Sequence, residues 1–436
     1  MNQHSQIDRP EPREDRLPPW TSIFASDAET LGPDVAELIA ADRRLEAGTI
    51  DLIASASYCP AGLREIEGSH LVNRAPMGLP RRRTVAHCEF LDEIEELAIG
   101  RAKALFKSEH VNVQALSSTV ANVAVLRAVL PRDGARLLAF NELAGGHVSH
   151  GSARHITGDH RAVAAFGVDA DGCPDLDEAR MMARRDRPHA IIVGPSTYPR
   201  EMDFQALRAI ADEVGALLIT DIAHTAGLVA TGLHANPVPI SDVATTSTQK
   251  TLCGARNGAF IFSRSAHADA IDAAVYPGLQ GPAGSNLIAA RAVQLEMVKR
   301  TEFRALMERV LDNAKALADG LLAEGISLYT GGTDSHLVVA YAGQPWDAAA
   351  LTRRFGAYGI TLNAIRAPGV DRQPRASIRL GTVGMSIRGL GPVAFGRVAT
   401  CIARILRAGP SGPVAGDIQS ELAAIAQSHP VPSFIA

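Results

Sequence analysis

The chain has 436 residues, 46% hydrophobic and 21% charged, with a formal net charge of −4. That length can bury a large core in roughly two or three domains, and that charge gives no reason to expect a nucleic-acid partner. Five cysteines (Cys59, Cys88, Cys173, Cys253, Cys401) are scattered and without C-x-x-C spacing, which points away from a disulfide framework or zinc site and toward a reducing cytoplasm.

Residues Met1 to Trp20 are polar and proline-rich with alternating charges, and read as a disordered leader. Asp34 to Ala47 carries Val35, Leu38, Ile39 and Leu45 at helical spacing. It leads into I-D-L-I-A-S-A-S-Y, where Ser55 follows a short strand as a turn serine does. Ser69 to Phe90 contains Arg81 to Arg83, read as a solvated charge run, and His87. Leu91 to Phe106 is an amphipathic helix, followed by strand-like V-N-V-Q-A-L and then Ser117, Ser118 and Thr119 opening a second helix. Free N–H groups at the positive end of a helix dipole form an anion site, although an ordinary N-cap has the same pattern.

Leu137 to Asn141 is the next strand, and A-G-G-H-V-S-H-G-S-A-R-H follows it. His147, His150 and His155 are not spaced as a metal cluster: glycines break any helix there, and no carboxylate or cysteine joins them at ligand spacing. Strands at Ala162 to Val168 and His189 to Gly194 alternate with helices at Leu176 to Arg185 and Phe204 to Val214, and Ser196 sits just beyond the second strand. This alternation predicts an α/β fold, a mainly parallel sheet sandwiched by helices.

Ala216 to His224, A-L-L-I-T-D-I-A-H, is an apolar run ending in Asp221 and His224. A carboxylate buried at the end of a core strand is costly without a cationic partner. The protonated ring nitrogen of pyridoxal phosphate is such a partner, and a carboxylate held against it keeps the ring an electron sink. Ser241 to Gly258, S-D-V-A-T-T-S-T-Q-K-T-L-C-G-A-R-N-G, begins as a buried strand and runs into a polar turn with Lys250. The other lysines of the chain, Lys103, Lys107, Lys299 and Lys315, sit in helical, charge-mixed contexts. An amine desolvated at a strand end has its pKa pushed down, as an imine-forming lysine needs; taken alone, a snorkelling loop lysine reads the same way.

Tyr276 to Pro282, Y-P-G-L-Q-G-P, is a glycine-rich loop. A long helical region from Leu287 to Glu324 leads to a smaller α+β unit, with strands expected at Leu337 to Tyr341, Ile360 to Leu362 and Ser377 to Leu380, and helices at Asp347 to Tyr358 and Pro392 to Leu406. Arg379 lies inside the last strand, where a guanidinium needs a partner and matches a carboxylate with two parallel hydrogen bonds. The expected division is a leader and helical arm at 1–48, a large cofactor-binding domain at 49–300 and a small domain at 301–436. No G-x-G-x-x-G follows a strand, which argues against a dinucleotide enzyme.

L-I-A-S, Cys88 to Phe106, G-G-H-V-S-H-G-S, D-I-A-H-T-A-G-L-V-A, T-T-S-T-Q-K-T-L-C-G-A-R-N-G, Y-P-G-L-Q-G and G-G-T-D-S-H-L occur in this order between Ile50 and Arg397. Together they resemble the serine hydroxymethyltransferase family of fold-type I pyridoxal phosphate enzymes. The resemblance implies a seven-stranded sheet, pyridoxal 5'-phosphate linked to Lys250, Asp221 at its ring nitrogen, and His147 stacked on the ring, able to relay a proton. It also implies Ser118 and Thr119 at the phosphate, Ser196 at the cofactor, and His224 and Arg256 at the ring oxygen. Gln249 replaces a family histidine beside the phosphate. Ser55 and Arg379 would hold the substrate carboxylate. The loop through Gly281 approaches the other subunit's phosphate in the family, so a homodimer is implied, and Pro282 replaces a glycine there and removes one N–H donor.

Ser69 to Phe90 departs from the family. Its tyrosine, its glutamate and its second pair of tyrosines, which reach across the dimer interface, are here Ala75, Met77, Thr84 and Val85. A thioether cannot exchange protons as a carboxyl does. Ile365 stands where an asparagine is expected near folate. The intact set Asp221, Lys250, His147 and Arg379 argues against an inactive scaffold homologue. The expected activity is therefore an aldolase or transaldolase on glycine-, serine- or threonine-type amino acids and an aldehyde, without folate, with His147 or His224 as base for the substrate hydroxyl. A tetrahydrofolate-dependent serine or α-methylserine hydroxymethyltransferase stays open, with His87 as candidate for the missing acid.

Overall fold

The computed structural model describes residues 21–432 apart from 344, 370 and 415; the expected leader lies outside the described residues. The helix Pro33–Ala47 starts on Pro33 at its first turn and buries none of its side chains, so the Val35, Leu38, Ile39 and Leu45 stripe covers nothing in this chain.

A seven-stranded sheet follows. Its strands are β1 (His110–Asn112), β2 (Ala135–Phe140), β3 (Arg161–Phe166), β4 (Ala190–Val193), β5 (Leu217–Asp221), β6 (Val243–Ser247) and β7 (Ala259–Ser263), in the order β1-β7-β6-β5-β4-β2-β3. Neighbours from β6 across to β3 are parallel, and β7 runs antiparallel to both β6 and β1. The central strands β4, β6 and β7 are buried at every residue, the signature of a sheet covered on both faces. Helices such as Ser118–Val129 and Phe204–Val214 supply that cover, and Asp203 caps the latter by accepting the Ala206 N–H. The antiparallel strand β7 went unread in the sequence. It matters to the site, because the segment turning from β6 into β7 holds Lys250.

The C-terminal unit is built on an antiparallel sheet of β8 (Leu337–Tyr341), β9 (Asn363–Pro368) and β10 (Pro374–Gly381), with β10 in the middle. Its core joins Leu317, Val338, Phe355, Leu380, Phe395 and Ile402. Ile50–Asp51 pairs in parallel with Ile360–Thr361, and Ile50 and Leu52 pack into this same core, so the chain visits the C-terminal unit before the large sheet begins.

Two expectations change in detail. The region read as one helix from Leu287 to Glu324 is two, Ser285–Val298 and Thr301–Ala323, because Arg300 takes an extended conformation (ψ 149°) between them. Arg83 is not part of a solvated charge run. Its side chain is 4% exposed and forms ion pairs with Asp92 (2.8 Å) and Glu95 (2.6 Å), themselves 8% and 2% exposed, while Gln114 donates to the other oxygen of Glu95 at 2.8 Å. Asp92 and Glu95 lie three residues apart on one helix face, so two carboxylates converge on one guanidinium and compensate its burial. Arg81 does face solvent, paired with Glu96. This network pins the hairpin of Gly78–Leu79 and Arg82–Arg83, and Met77 beside it, to the helix Glu89–Phe106.

Candidate active site

The C-terminal ends of the parallel strands open on a cleft of about 1020 Å³, as expected for ligand sites in such sheets. β5 ends at Asp221, which is buried. Its Oδ2 accepts from Asn122 Nδ2 (2.8 Å) and from His150 Nε2 (3.1 Å), and its Oδ1 accepts from the Ala223 N–H (2.9 Å). Burial by itself would raise the carboxyl's pKa. The His150 hydrogen bond, the nearby Lys250 charge and the Asn122 hydrogen bond outweigh it and hold the group below the usual carboxylate range. Gly194, at the end of neighbouring β4, is needed for this packing, since a methyl there would lie 2.7 Å from Asp221 Cβ.

Lys250 sits in a short turn, Lys250–Leu252, after β6 and takes a left-handed backbone conformation (φ 63°) that is costly for a side chain with a Cβ. Its amine is pushed down to about 8, by burial first; the Asp221 charge opposes the shift, and Arg379 and Arg256 add to it. Ser118 and Thr119 line the cleft at the start of their helix, where Ser117 is the N-cap and accepts the Val120 N–H at 3.1 Å. Gln249, beside the lysine, has a buried Oε1 without a partner. Arg256 lines the cleft and is exposed.

Arg379 enters from β10 of the C-terminal unit, opposite Asn363 in the ladder. Its Nε and Nη2 donate to Asn363 Oδ1 (3.2 and 2.7 Å) and its Nη1 donates to the Ser196 carbonyl (2.9 Å). Burial pushes its pKa down to about 10, and among the described residues no carboxylate pairs with it. Ser55 and Ser196 complete that wall, and Ile365 also lines the cleft. His147 and His224 line it too, with pKa values lowered by burial first, His147 to about 4.

Every expected site residue except Gly281 is thus gathered in one cleft. Gly281 is exposed and does not line it, and neither do Ala75, Met77, Thr84, Val85 or His87, which sit on an exposed surface of the same chain. Sequence reasoning missed Asn122, His150, Asn363 and His336. Asn122 had one available signal: it lies four residues after Ser118 on a helix and so shares its face, and a buried asparagine needs partners. Thr245 Oγ1 donates to its side-chain oxygen at 2.7 Å. His155 hydrogen-bonds Thr157 and takes no part in the cleft.

The family model described as serine hydroxymethyltransferase matches residues 28–402. Serine hydroxymethyltransferase 1 of Mycobacterium tuberculosis (strain CDC 1551 / Oshkosh) is 40% identical over 420 residues, 94% of this chain and 95% of the relative. Serine hydroxymethyltransferase 1 of Mycobacterium bovis is 41% identical and the serine hydroxymethyltransferase of Mycobacterium leprae 40%, each over 410 residues, 92% of this chain and 96% of the relative. A match of this extent, on a mainly parallel seven-stranded sheet whose strand ends gather the lysine, the aspartate and the arginine, means that the chain belongs to the serine hydroxymethyltransferase family.

Proposed function

We propose that the chain is a pyridoxal phosphate-dependent enzyme of aldol cleavage and transfer that acts on glycine-, serine- or threonine-type amino acids without tetrahydrofolate. The family's cofactor is pyridoxal 5'-phosphate, and the donors in the cleft suit it. Asp221, held ionised, fits the ring nitrogen, and the Lys250 amine, partly unprotonated near neutral pH, fits the linkage. Ser118, Thr119 and the helix N-terminus fit the phosphate. So does Gln249, since exchanging oxygen and nitrogen at its amide turns the unpartnered atom into a donor. When bound, the cofactor draws off the electron pair left when a bond at the substrate α-carbon breaks. Arg379 holds the substrate carboxylate from a direction already fixed by Asn363 and Ser196, and that orientation selects which bond breaks. Ser55 lines the same cleft.

The observation that carries the folate-independent reading is the state of the cleft's acids. Among the described residues two carboxylates line it: Asp221, buried and held by Asn122 and His150, and Glu142, a solvent-facing residue paired with Arg154. The position where the resemblance puts a proton-exchanging glutamate is Met77, and the expected pterin-side asparagine is Ile365. Folate-linked transfer needs an exchangeable proton beside the one-carbon unit and a walled slot for the pterin; retro-aldol cleavage needs no pterin slot and only one group to take the substrate hydroxyl's proton, for which the cleft offers the Lys250 amine, partly unprotonated near neutral pH. The relatives' names support a second reading, a serine hydroxymethyltransferase, for which the family resemblance implies tetrahydrofolate. The two part in one experiment. Threonine-type cleavage and exchange of the aldehyde are expected to run without tetrahydrofolate, and adding it is expected to leave serine turnover unchanged, as read by mass spectrometry with a panel of aldehydes. A strong tetrahydrofolate-dependent conversion of serine or α-methylserine would restore the second reading.

A homodimer follows from the same proposal. The apolar stripe of Pro33–Ala47 and the exposed Val72, Met77, Val85 and Phe90 are left uncovered by this chain and are available to a second copy; the family resemblance implies that the Met77 segment then reaches the other subunit's cleft.

Replacing Arg379 with alanine is expected to raise the amino-acid KM steeply and to leave the visible absorbance of the bound cofactor unchanged. Loss of a charge-assisted pair costs about 2 to 4 kcal/mol in kcat/KM. Steady-state kinetics beside an absorbance spectrum check this, and an unchanged KM would mean that the carboxylate is held elsewhere.

A further inference from the structure

The partners of the two imidazoles that line the cleft fix where each carries its hydrogen. His147 Nδ1 receives the backbone N–H of Ser149 (3.2 Å) and lies 2.7 Å from Ser149 Oγ. A backbone N–H can only donate, so this nitrogen is an acceptor. Ser149 Oγ in turn takes a hydrogen from Asn122 Nδ2 (2.9 Å), which leaves its own for the ring. The hydrogen of neutral His147 is therefore on Nε2.

His224 reaches the same state by a different route. Its Nδ1 lies 3.3 Å from Nε2 of His336, whose ring stacks against it with 21° between the planes and 5.4 Å between centroids. The same His336 Nε2 is 3.1 Å from the Ala54 carbonyl. A carbonyl oxygen only accepts, so His336 Nε2 bears the hydrogen, and its lone pair sits on Nδ1, a buried atom without a partner. An N–H nitrogen has no lone pair to offer a second donor. His224 Nδ1 must then be bare, which puts its hydrogen on Nε2, the nitrogen left to the cleft. The opposite assignment would set a lone pair against the Ala54 oxygen and bury an N–H with no acceptor. Burial keeps these rings neutral, His336 with a pKa near 3.

We infer that His147 and His224 are both held as Nε2–H hydrogen-bond donors toward the cleft, by Ser149 and by the His336–Ala54 pair respectively, and that neither is the base for the substrate hydroxyl. The expectation that one of them takes that proton is thereby replaced: each presents a hydrogen where a base needs a lone pair. His336, which does not line the cleft, becomes a positioning residue for His224. The inference concerns the site of the proposed function but does not depend on whether folate is used, and its main test involves no turnover.

That test is long-range ¹H–¹⁵N correlation of the histidine-labelled protein as purified, at neutral pH, with His147→Gln and His224→Gln used only to assign signals. The expected result is the Nε2–H pattern for His147, His224 and His336. An Nδ1–H pattern or an imidazolium at His147 or His224 overturns the inference. His336→Phe keeps a stacked ring and removes the donor; it is expected to put His224 into a mixture of tautomers and to lower kcat/KM about tenfold. His336→Gln, whose amide can donate where Nε2 did, is expected to restore kcat/KM to within about threefold of the unmodified protein. Unchanged His224 signals in His336→Phe would remove His336 from the role. Should His336→Phe fail to fold, the labelled parent protein and His336→Gln decide the matter.

Discussion

Lys250→Ala is expected to abolish the visible absorbance of the cofactor linkage and to lower kcat on the order of 10⁴-fold or more. No other lysine can stand in. Lys103, Lys107, Lys299 and Lys315 lie outside the cleft, and Lys299 is already paired with Glu296 at 2.9 Å. Nor would arginine at 250 help, because a guanidinium stays protonated and cannot act as the nucleophile. The measurement has two parts. An absorbance spectrum reports the linkage, and borohydride reduction followed by peptide mass mapping reports its position, expected on the peptide containing Lys250. A variant that stayed coloured and active would sink the assignment of Lys250, whatever the acceptor aldehyde proves to be.

Asp221→Ala is expected to weaken cofactor retention and to reduce kcat on the order of 10³-fold, since nothing else in the cleft would keep a ring nitrogen charged. The alanine variant also strands three buried donors, Asn122 Nδ2, His150 Nε2 and the Ala223 N–H, each costing about 1 to 3 kcal/mol. Asp221→Asn separates the two effects. It keeps the shape and, with its oxygen toward Asn122 and His150, an acceptor for two of the three donors but has no charge, so it should fold with a melting temperature nearer the parent while turnover stays low. Cofactor titration and thermal melting of both variants read this out. Near-normal turnover by the asparagine variant would remove the carboxylate from the electronic argument.

Much of the site was legible in the chain because its residues offend a local rule. Asp221 ends an apolar run, Lys250 follows a buried strand, and Arg379 interrupts an apolar one; each states a need for a partner without naming it. Ser118 and Thr119 stand at a helix start, and the alternation of strands and helices set the parallel sheet. Residues that support these were not legible. Asn122, His150, Asn363 and His336 look ordinary in sequence, and their roles come from neighbours 99, 71, 16 and 112 positions away.

Arg83 shows the opposite failure. Three arginines in a row read as a solvated face, and only the packing of the hairpin against Glu89–Phe106 brings Asp92 and Glu95 to the third of them. What the sequence determined by itself was the fold class and the residues that carry charge into an apolar setting, because hydrophobic period and the cost of burying charge are local properties; the cofactor came with the ordered motifs that resemble the family. Tertiary structure decided the rest: that Asn363 and Ser196 aim Arg379, that the Asp221 carboxylate is held ionised by His150 and Asn122, and on which nitrogen His147 and His224 carry their hydrogens. Those are matters of which atoms meet across the fold, and a hydrogen bond has a direction only once both its ends are in place.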